Sequence, residues 1–370
     1  MNRKKVTYII SDIDKALAFE WVALHLDRSK IDLSFILLNP DNSQLETFLQ
    51  KNNLPVRRIK VIGKKSYPLA FFKLLFYLFM HRPHAVHCHL RDAELLGIIA
   101  AKICGIKKRI YTRHSSTYNH LYHPKGVKID QFISKMSTDI IAISKNVKKV
   151  LLEMESVPEN KVHLIHHGFD LDVFQNKGNP NTLRKKYNIP TTTPIIGVIA
   201  RYTWWKGYRY SIPAIGKILQ QYPGTHLVIA NATGNNSEKI KALIKKHIPD
   251  HRMTEIPFEK DLPSLYKLFD IYVHVPFDSE VEAFGQTYIE ALASGIPSVF
   301  TKSGIANEFI KDNYNALVVP YKDEKAIINA IDQLIQSPKL ADSLVINGKK
   351  SIHQFSLSIF IQKLNSLYIE

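Results

Sequence analysis

Short apolar runs alternate with stretches of helical periodicity along nearly the whole chain. The runs predict strands at 6–11, 33–38, 56–62, 85–89, 109–114, 139–143 and 162–165. After a polar gap the rhythm resumes, with strands expected at 195–200, 226–230, 253–256, 271–274, 297–300 and 317–319. Helical patterns fall between them, as at 93–104 and 145–155, and a last helix at 356–368 has no strand after it. Strands that alternate with helices read as parallel sheets joined by right-handed crossovers. Two such series predict two doubly wound domains. The gap at 172–194, rich in Asn, Thr, Pro and Lys, reads as a linker. Ligands of open parallel sheets bind beyond the carboxyl ends of the strands. That rule puts His114, Arg201 and the loop before Glu282 on functional edges, because each closes or follows an expected strand.

Length and composition fit this picture. A chain of 370 residues, 45% of them apolar, is long enough for two ordinary domains. Cys88 and Cys104 form neither a disulfide framework nor a zinc pattern, and both fall in apolar segments, which points to buried thiols in a reducing compartment. The basic start, Met1 to Lys5, leads into an apolar run too short for a signal peptide, and no stretch reaches the length of a membrane span. The chain therefore reads as cytoplasmic. Net charge is +17. Residues 1–180 hold 28 Lys and Arg against 16 Asp and Glu, a net of +12, which leaves +5 for the rest. A field of that sign favours nucleic acid, acidic lipid or a phosphorylated substrate. The aromatic segment 67–81, flanked by Lys64, Lys65 and Arg82, suits either a core helix or an amphipathic helix on an anionic inner-leaflet membrane surface.

The stretch from Glu282 to Glu290 carries the sharpest chemical signal. Its two carboxylates stand eight residues apart, with Phe284-Gly285 between them and Gly295-x-Pro297 after them. On one continuous helix they would diverge by roughly 80°. If the helix starts near Gly285, Glu282 lies in the loop ahead and Glu290 on the second turn, and both can serve the helix N-terminus. Free N–H groups there favour an anion such as a phosphate. Arg201 and Lys206 share one strand-to-helix loop. A planar guanidinium and a point-charge ammonium can together neutralise a diphosphate without a metal. The plainer readings are a surface helix with two ordinary Glu and a solvated basic loop beside two tryptophans. The histidines from His81 to His123 lack the spacing of a helical metal site, and packed or edge histidines suit them better. No Gly-x-Gly-x-x-Gly follows the first strand and no P-loop motif is present, which weakens an oxidoreductase and a P-loop enzyme.

Taken in order, these elements resemble glycosyltransferase family 4, the retaining group 1 glycosyltransferases of the GT-B fold. The matching pieces are Ala142-Ile143-Ser144 before a helix, the turn His166-His167-Gly168-Phe169-Asp170, Arg201 with Lys206-Gly207, Glu282-x7-Glu290, Gly295-x-Pro297, and Gly304 with Glu308. The resemblance implies an α/β chain of two Rossmann-like doubly wound domains facing a cleft. The first, 1–175, would take the acceptor, with the helix 356–370 packed back on it; the second, 176–355, would bind the nucleotide sugar. It implies transfer of a sugar from a nucleotide-diphosphate donor to a glycan or lipid-linked acceptor, with retention and with no cofactor or essential metal. The product would be cell-surface polysaccharide of the capsule or lipopolysaccharide type, made by an enzyme in the cytoplasm or peripheral on the inner membrane face. Arg201 and Lys206 would hold the diphosphate, Glu290 the ribose, and Glu282 with the backbone of Phe284, Gly285 and Gln286 the donor sugar; His114 would lie near that sugar. Two departures stand out: 11–16, where the family often carries Gly-Gly, has no glycine, and Ala283 replaces a usual Gly or Pro. The rivals are a nucleotide-sugar epimerase of the same fold and a non-catalytic basic binding protein. A nucleic-acid partner explains the charge and leaves the ordered acidic motif unexplained, so none is expected.

Overall fold

A computed structural model describes residues 3–191 and 194–369. Met1 and Asn2 of the basic start, and Thr192 and Thr193 of the expected linker, lie outside the described residues. Contacts divide the chain into two compact units. One runs to Phe169 and takes in the segment from Phe355 onward; the other spans Asp170–Gln354.

The first unit is built on seven strands: β1 (Lys4–Ser11), β2 (Ile31–Asn39), β3 (Val56–Lys60), β4 (Ala85–His89), β5 (Lys108–Arg113), β6 (Asp139–Ala142) and β7 (Val162–Leu164). They pair in the order β3-β2-β1-β4-β5-β6-β7, every pair parallel. The second unit has β8 (Ile195–Ile199), β9 (His226–Ala230), β10 (Met253–Ile256), β11 (Ile271–His274), β12 (Ser298–Phe300) and β13 (Leu317–Val318), ordered β10-β9-β8-β11-β12-β13 and again all parallel. Helices cover both faces of such sheets, which explains why the strands are near-continuous apolar runs; β4, β8, β9 and β11 are buried at every position. Strand order reverses between β1 and β4 in one unit and between β8 and β11 in the other, the switch points at which open sheets bind ligands.

Six of the helices are α1 (Tyr67–His81), α2 (Arg91–Ile103), α3 (Pro124–Met136), α4 (Tyr208–Gln221), α5 (Gln286–Ala293) and α6 (Leu357–Ile369). The segment expected to be a linker holds two further helices, Leu171–Asn176 and Pro180–Tyr187. Its Asn and Pro are helix punctuation: the Asn179 side chain accepts from the Asn181 amide, Pro180 takes the first turn, and Asn188 ends the helix in the left-handed conformation. The Asn179 amide also donates to Ser264 Oγ at 2.8 Å, tying this stretch to the second unit.

Helix α6 returns to the first unit. The Phe169 amide donates to the Phe355 carbonyl at 2.9 Å and the Leu357 amide to the Phe169 carbonyl at 2.8 Å. At Gly168 a side chain would fall 2.4 Å from Phe360 Cβ, so the His-His-Gly turn closes directly on this helix. Tyr368 then reaches the sheet: His87 Nδ1 is 2.5 Å from its hydroxyl, which also bonds the Tyr8 hydroxyl.

Candidate active site

The loop after β8 is fixed before any ligand is considered. The Tyr208 hydroxyl donates to the Ala200 carbonyl at 2.6 Å, and the buried Tyr202 hydroxyl donates to the Glu255 carboxylate. Gly207 has φ +83°, and a side chain there would sit 1.8 Å from the Val275 carbonyl oxygen. Only glycine lets this turn lie flat on the exit of β11. The Phe277 amide donates to the Trp205 carbonyl at 3.2 Å, joining the same two loops.

Lys206 leaves this pinned turn toward Glu282. Its ammonium is 2.6 Å from Glu282 Oε1 and lies 4.5 Å from the centre of the Trp205 ring. Both partners are largely buried, so each depends on the other for charge compensation. Burial works to raise the Glu282 carboxyl, yet the Lys206 ammonium and the His274 ring together more than offset it and hold the group down to about 2. His274, the last residue of β11, brings Nε2 to 3.2 Å from the same oxygen but is not aligned for a hydrogen bond, and its Nδ1 is buried without a partner. Burial lowers its pKa, and the Glu282 carboxylate works against that shift.

The loop ahead of α5 is equally constrained. The Asp278 carboxylate accepts from the Glu280 and Val281 amides at 2.8 and 3.1 Å. The Gly304 amide donates to the Ser279 carbonyl at 3.1 Å and the Ile305 amide to the Phe284 carbonyl at 2.8 Å. A side chain at Gly304, where φ is +56°, would stand 2.6 Å from the Phe284 oxygen and 2.9 Å from Glu282 Cβ. The Gly304 turn therefore presses against the backbone that carries Glu282. Gly285, at φ +86°, caps α5; Phe284 is buried and Gln286 exposed at the helix start. Glu290 is on the second turn, as a helix starting near Gly285 requires. Its Oε2 accepts from the Tyr266 hydroxyl at 2.7 Å. Burial pushes its carboxyl up to about 7, and that hydrogen bond only partly counters the rise.

Lys206, Glu282, Phe284, Gly285, Gln286 and Glu290 thus belong to connected elements of the second unit. Arg201 opens the β8 loop with an exposed side chain that has no ion-pair or hydrogen-bond partner among the described residues. His114 follows β5 in the first unit. Its Nε2 lies 3.3 Å from His89 Nδ1 and its ring stacks on His167 with centroids 5.6 Å apart. Burial lowers the pKa of His114 to about 4 and of His167 to about 3. In the glycine-free loop after β1, Asp12 itself takes φ +49°. The Asp14 carboxylate accepts from the Gln44 amide at 3.1 Å and side chain at 2.6 Å, so this loop is tied down by side chains. Two residues beside the acids escaped sequence reasoning. His274 closed an expected strand, which was a usable signal; Tyr266 carried none. Among the described residues no cluster of three or more His, Cys, Asp or Glu is placed to hold a metal ion, and no helix is long and apolar enough to cross a membrane.

Comparison with known proteins bears on this geometry. Residues 179–351 match the family model for glycosyl transferases group 1, and residues 22–173 the model for glycosyltransferase family 4. The chain is 26% identical to the capsular polysaccharide biosynthesis glycosyltransferase CapM of Staphylococcus aureus, over 100% of this chain and 97% of the relative. It is 22% identical to a UDP-Gal:alpha-D-GlcNAc-diphosphoundecaprenol alpha-1,3-galactosyltransferase of Escherichia coli, over 85% and 81%. Among solved structures, Anabaena HepE in complex with UDP and glucose superposes with a TM-score of 0.84 at 17% identity, covering 98% of this chain and 99% of that one.

Proposed function

Because this chain belongs to the group 1 glycosyltransferases, family 4-like and of GT-B fold, we propose that it moves a sugar from a nucleoside diphosphate to a glycan or lipid-linked acceptor in capsule- or lipopolysaccharide-type biosynthesis. The observation that carries the donor side is the buried Lys206–Glu282 pair set against the start of α5. An ammonium has three donors, and the carboxylate takes one. The others are available to diphosphate oxygens, next to amides that favour the same charge. In this reading Arg201 adds its fork from the exposed side of the loop. Glu290, braced by Tyr266, receives the ribose hydroxyls. Glu282 and the amides from Phe284 to Gln286 receive the sugar.

The bond from the anomeric carbon to phosphate breaks, the acceptor oxygen bonds that carbon, and the acceptor proton passes to the departing diphosphate. Attack on the leaving-group face would retain configuration. Negative charge grows on the diphosphate oxygens as the bond breaks, so a cation already held in place stabilises that state more than the ground state. In this reading the first unit receives the acceptor. Support for a nucleotide-sugar donor comes from the HepE complexes with UDP and glucose and with UDP-glucose, and support for a lipid-linked acceptor from the Escherichia coli relative's named substrate.

Thermal denaturation with UDP, GDP, ADP and their sugars tests the reading. A bound nucleotide at a hundred times its Kd should stabilise by about 2.7 kcal/mol. A flat response to every nucleotide rejects the proposed donor site.

A further inference from the structure

We propose that α1 is a docking face for the surface of an anionic lipid bilayer. This stands on the first unit's surface alone and does not require the donor reading.

Helix α1 is apolar around most of its circumference, which a helix packed on only one side should not be. Ala70, Leu74 and Leu78 are buried on the side that packs on α2. Leu69, Phe72, Phe76, Phe79 and Met80 are exposed, spaced three or four residues apart until the last step, so they form one stripe. Phe72, Phe76 and Phe79 are 67%, 65% and 58% exposed. Contiguous exposed apolar surface of this kind marks a binding site.

Its surroundings select the occupant. From residue 56 to 82 the chain has seven Lys and Arg and no Asp or Glu. Lys64 and Lys65 are exposed at the helix start, Lys73 is exposed within it, and the Arg82 guanidinium lies 5.3 Å from the Phe79 ring centre at its end. Arg57 approaches Tyr77 at 5.8 Å from the neighbouring strand. Phenylalanines enter the headgroup boundary while lysine stems reach back to phosphate, the behaviour of an interfacial helix. Fifteen residues give a helix about 22 Å long, which lies in the membrane plane without crossing it. A second copy of the chain fits poorly: pairing along the stripe opposes cation to cation, and Asp92, the acid beside the first turn, already accepts from the Tyr67 hydroxyl at 2.6 Å.

Flotation of the full chain with vesicles decides the matter. Phosphatidylcholine vesicles containing phosphatidylglycerol should bind it at least about tenfold more strongly than phosphatidylcholine alone, with binding that weakens as salt rises. The triple change Phe72→Ser, Phe76→Ser and Phe79→Ser should cut that partition by about tenfold or more, with the thermal midpoint and its nucleotide response kept. These side chains are exposed, so the variant should fold. Absence of binding to the anionic vesicles overturns the proposal, and so does equal partition of wild type and variant. Sedimentation showing a dimeric wild type and a monomeric variant would assign the stripe to self-association instead.

Discussion

Lys206 and Arg201 offer two cations of opposite setting. Lys206 is buried against Glu282, so Lys206→Ala removes a donor group and strands a buried carboxylate. It should cost about 3 kcal/mol of stability and slow transfer by about 10²–10³-fold. Arg201→Ala should leave the unfolding midpoint unchanged and weaken donor binding alone. Steady-state kinetics beside urea unfolding of both variants separates the two effects, and similar stability losses would contradict the burial difference. Glu290 makes a pH prediction. Its folded pKa of about 7 lies above the unfolded value of 4.5, so the folded state holds a proton that the unfolded state has lost between these values. The stability from that proton is complete below pH 4.5 and disappears as pH rises through 7. The ionised form accepts two ribose hydroxyls, so nucleotide affinity should rise over the same interval. Melting and titration calorimetry from pH 5 to 8.5 should show the two opposed slopes, and Glu290→Gln should flatten both. At this scale the sequence singled out the candidate residues, because acids at fixed spacing around Phe-Gly survive as a pattern. It did not reveal that one acid would be driven down and the other up. The first depends on Lys206, 76 residues away along the chain, and the second on burial, which the Tyr266 hydroxyl only partly counters.

Turns rather than helices set the geometry of the candidate site. Gly207 and Gly304 each press backbone to backbone, the first on the exit of β11 and the second on the loop carrying Glu282. Gly304→Ala meets both a left-handed φ and a contact under 3 Å, so it should cost at least about 2 kcal/mol. The displaced Phe284 and Glu282 should weaken nucleotide binding as well. Urea unfolding with nucleotide titration measures both; unchanged affinity would show that the loop position is not what the ligand needs. Elements of this kind were unevenly legible. Strands such as β8 and β9 showed themselves as apolar runs, since a strand covered on both faces has no polar alternation to hide it. The helices Leu171–Asn176 and Pro180–Tyr187 were hidden, because short polar helices with Asn and Pro caps share the composition of a linker.

For the molecule as a whole, acid should act first on the unit that holds the cluster of four buried histidines. His87, His89, His114 and His167 form a chain of ring contacts, and burial lowers the pKa of each, to about 3 for His87 and well below the ordinary range for His89. Unfolding releases these rings to titrate near 6.5, so the unfolded state binds more protons between that pH and about 4. Glu94 of the same unit, raised to about 8 by burial, works in the opposite sense, so stability of the first unit should fall below pH 6.5 by the excess of the four rings over that carboxyl. Two transitions are expected in calorimetry, with the histidine-bearing one moving down in temperature faster on acidification; parallel movement would deny the cluster that role. The Tyr368 contact with Tyr8 and His87 carries a further implication for how the chain is made. Tyr8 leaves the ribosome 360 residues before its hydroxyl partner, an interval of roughly 20 to 70 seconds at usual elongation rates. For the later part of that time, after Leu164 has ended the last strand, the nascent first sheet waits with its closing helix unmade while the whole second unit is translated. Stalled or prematurely terminated synthesis would leave those rings bare, giving chaperones and proteases a handle on every unfinished copy.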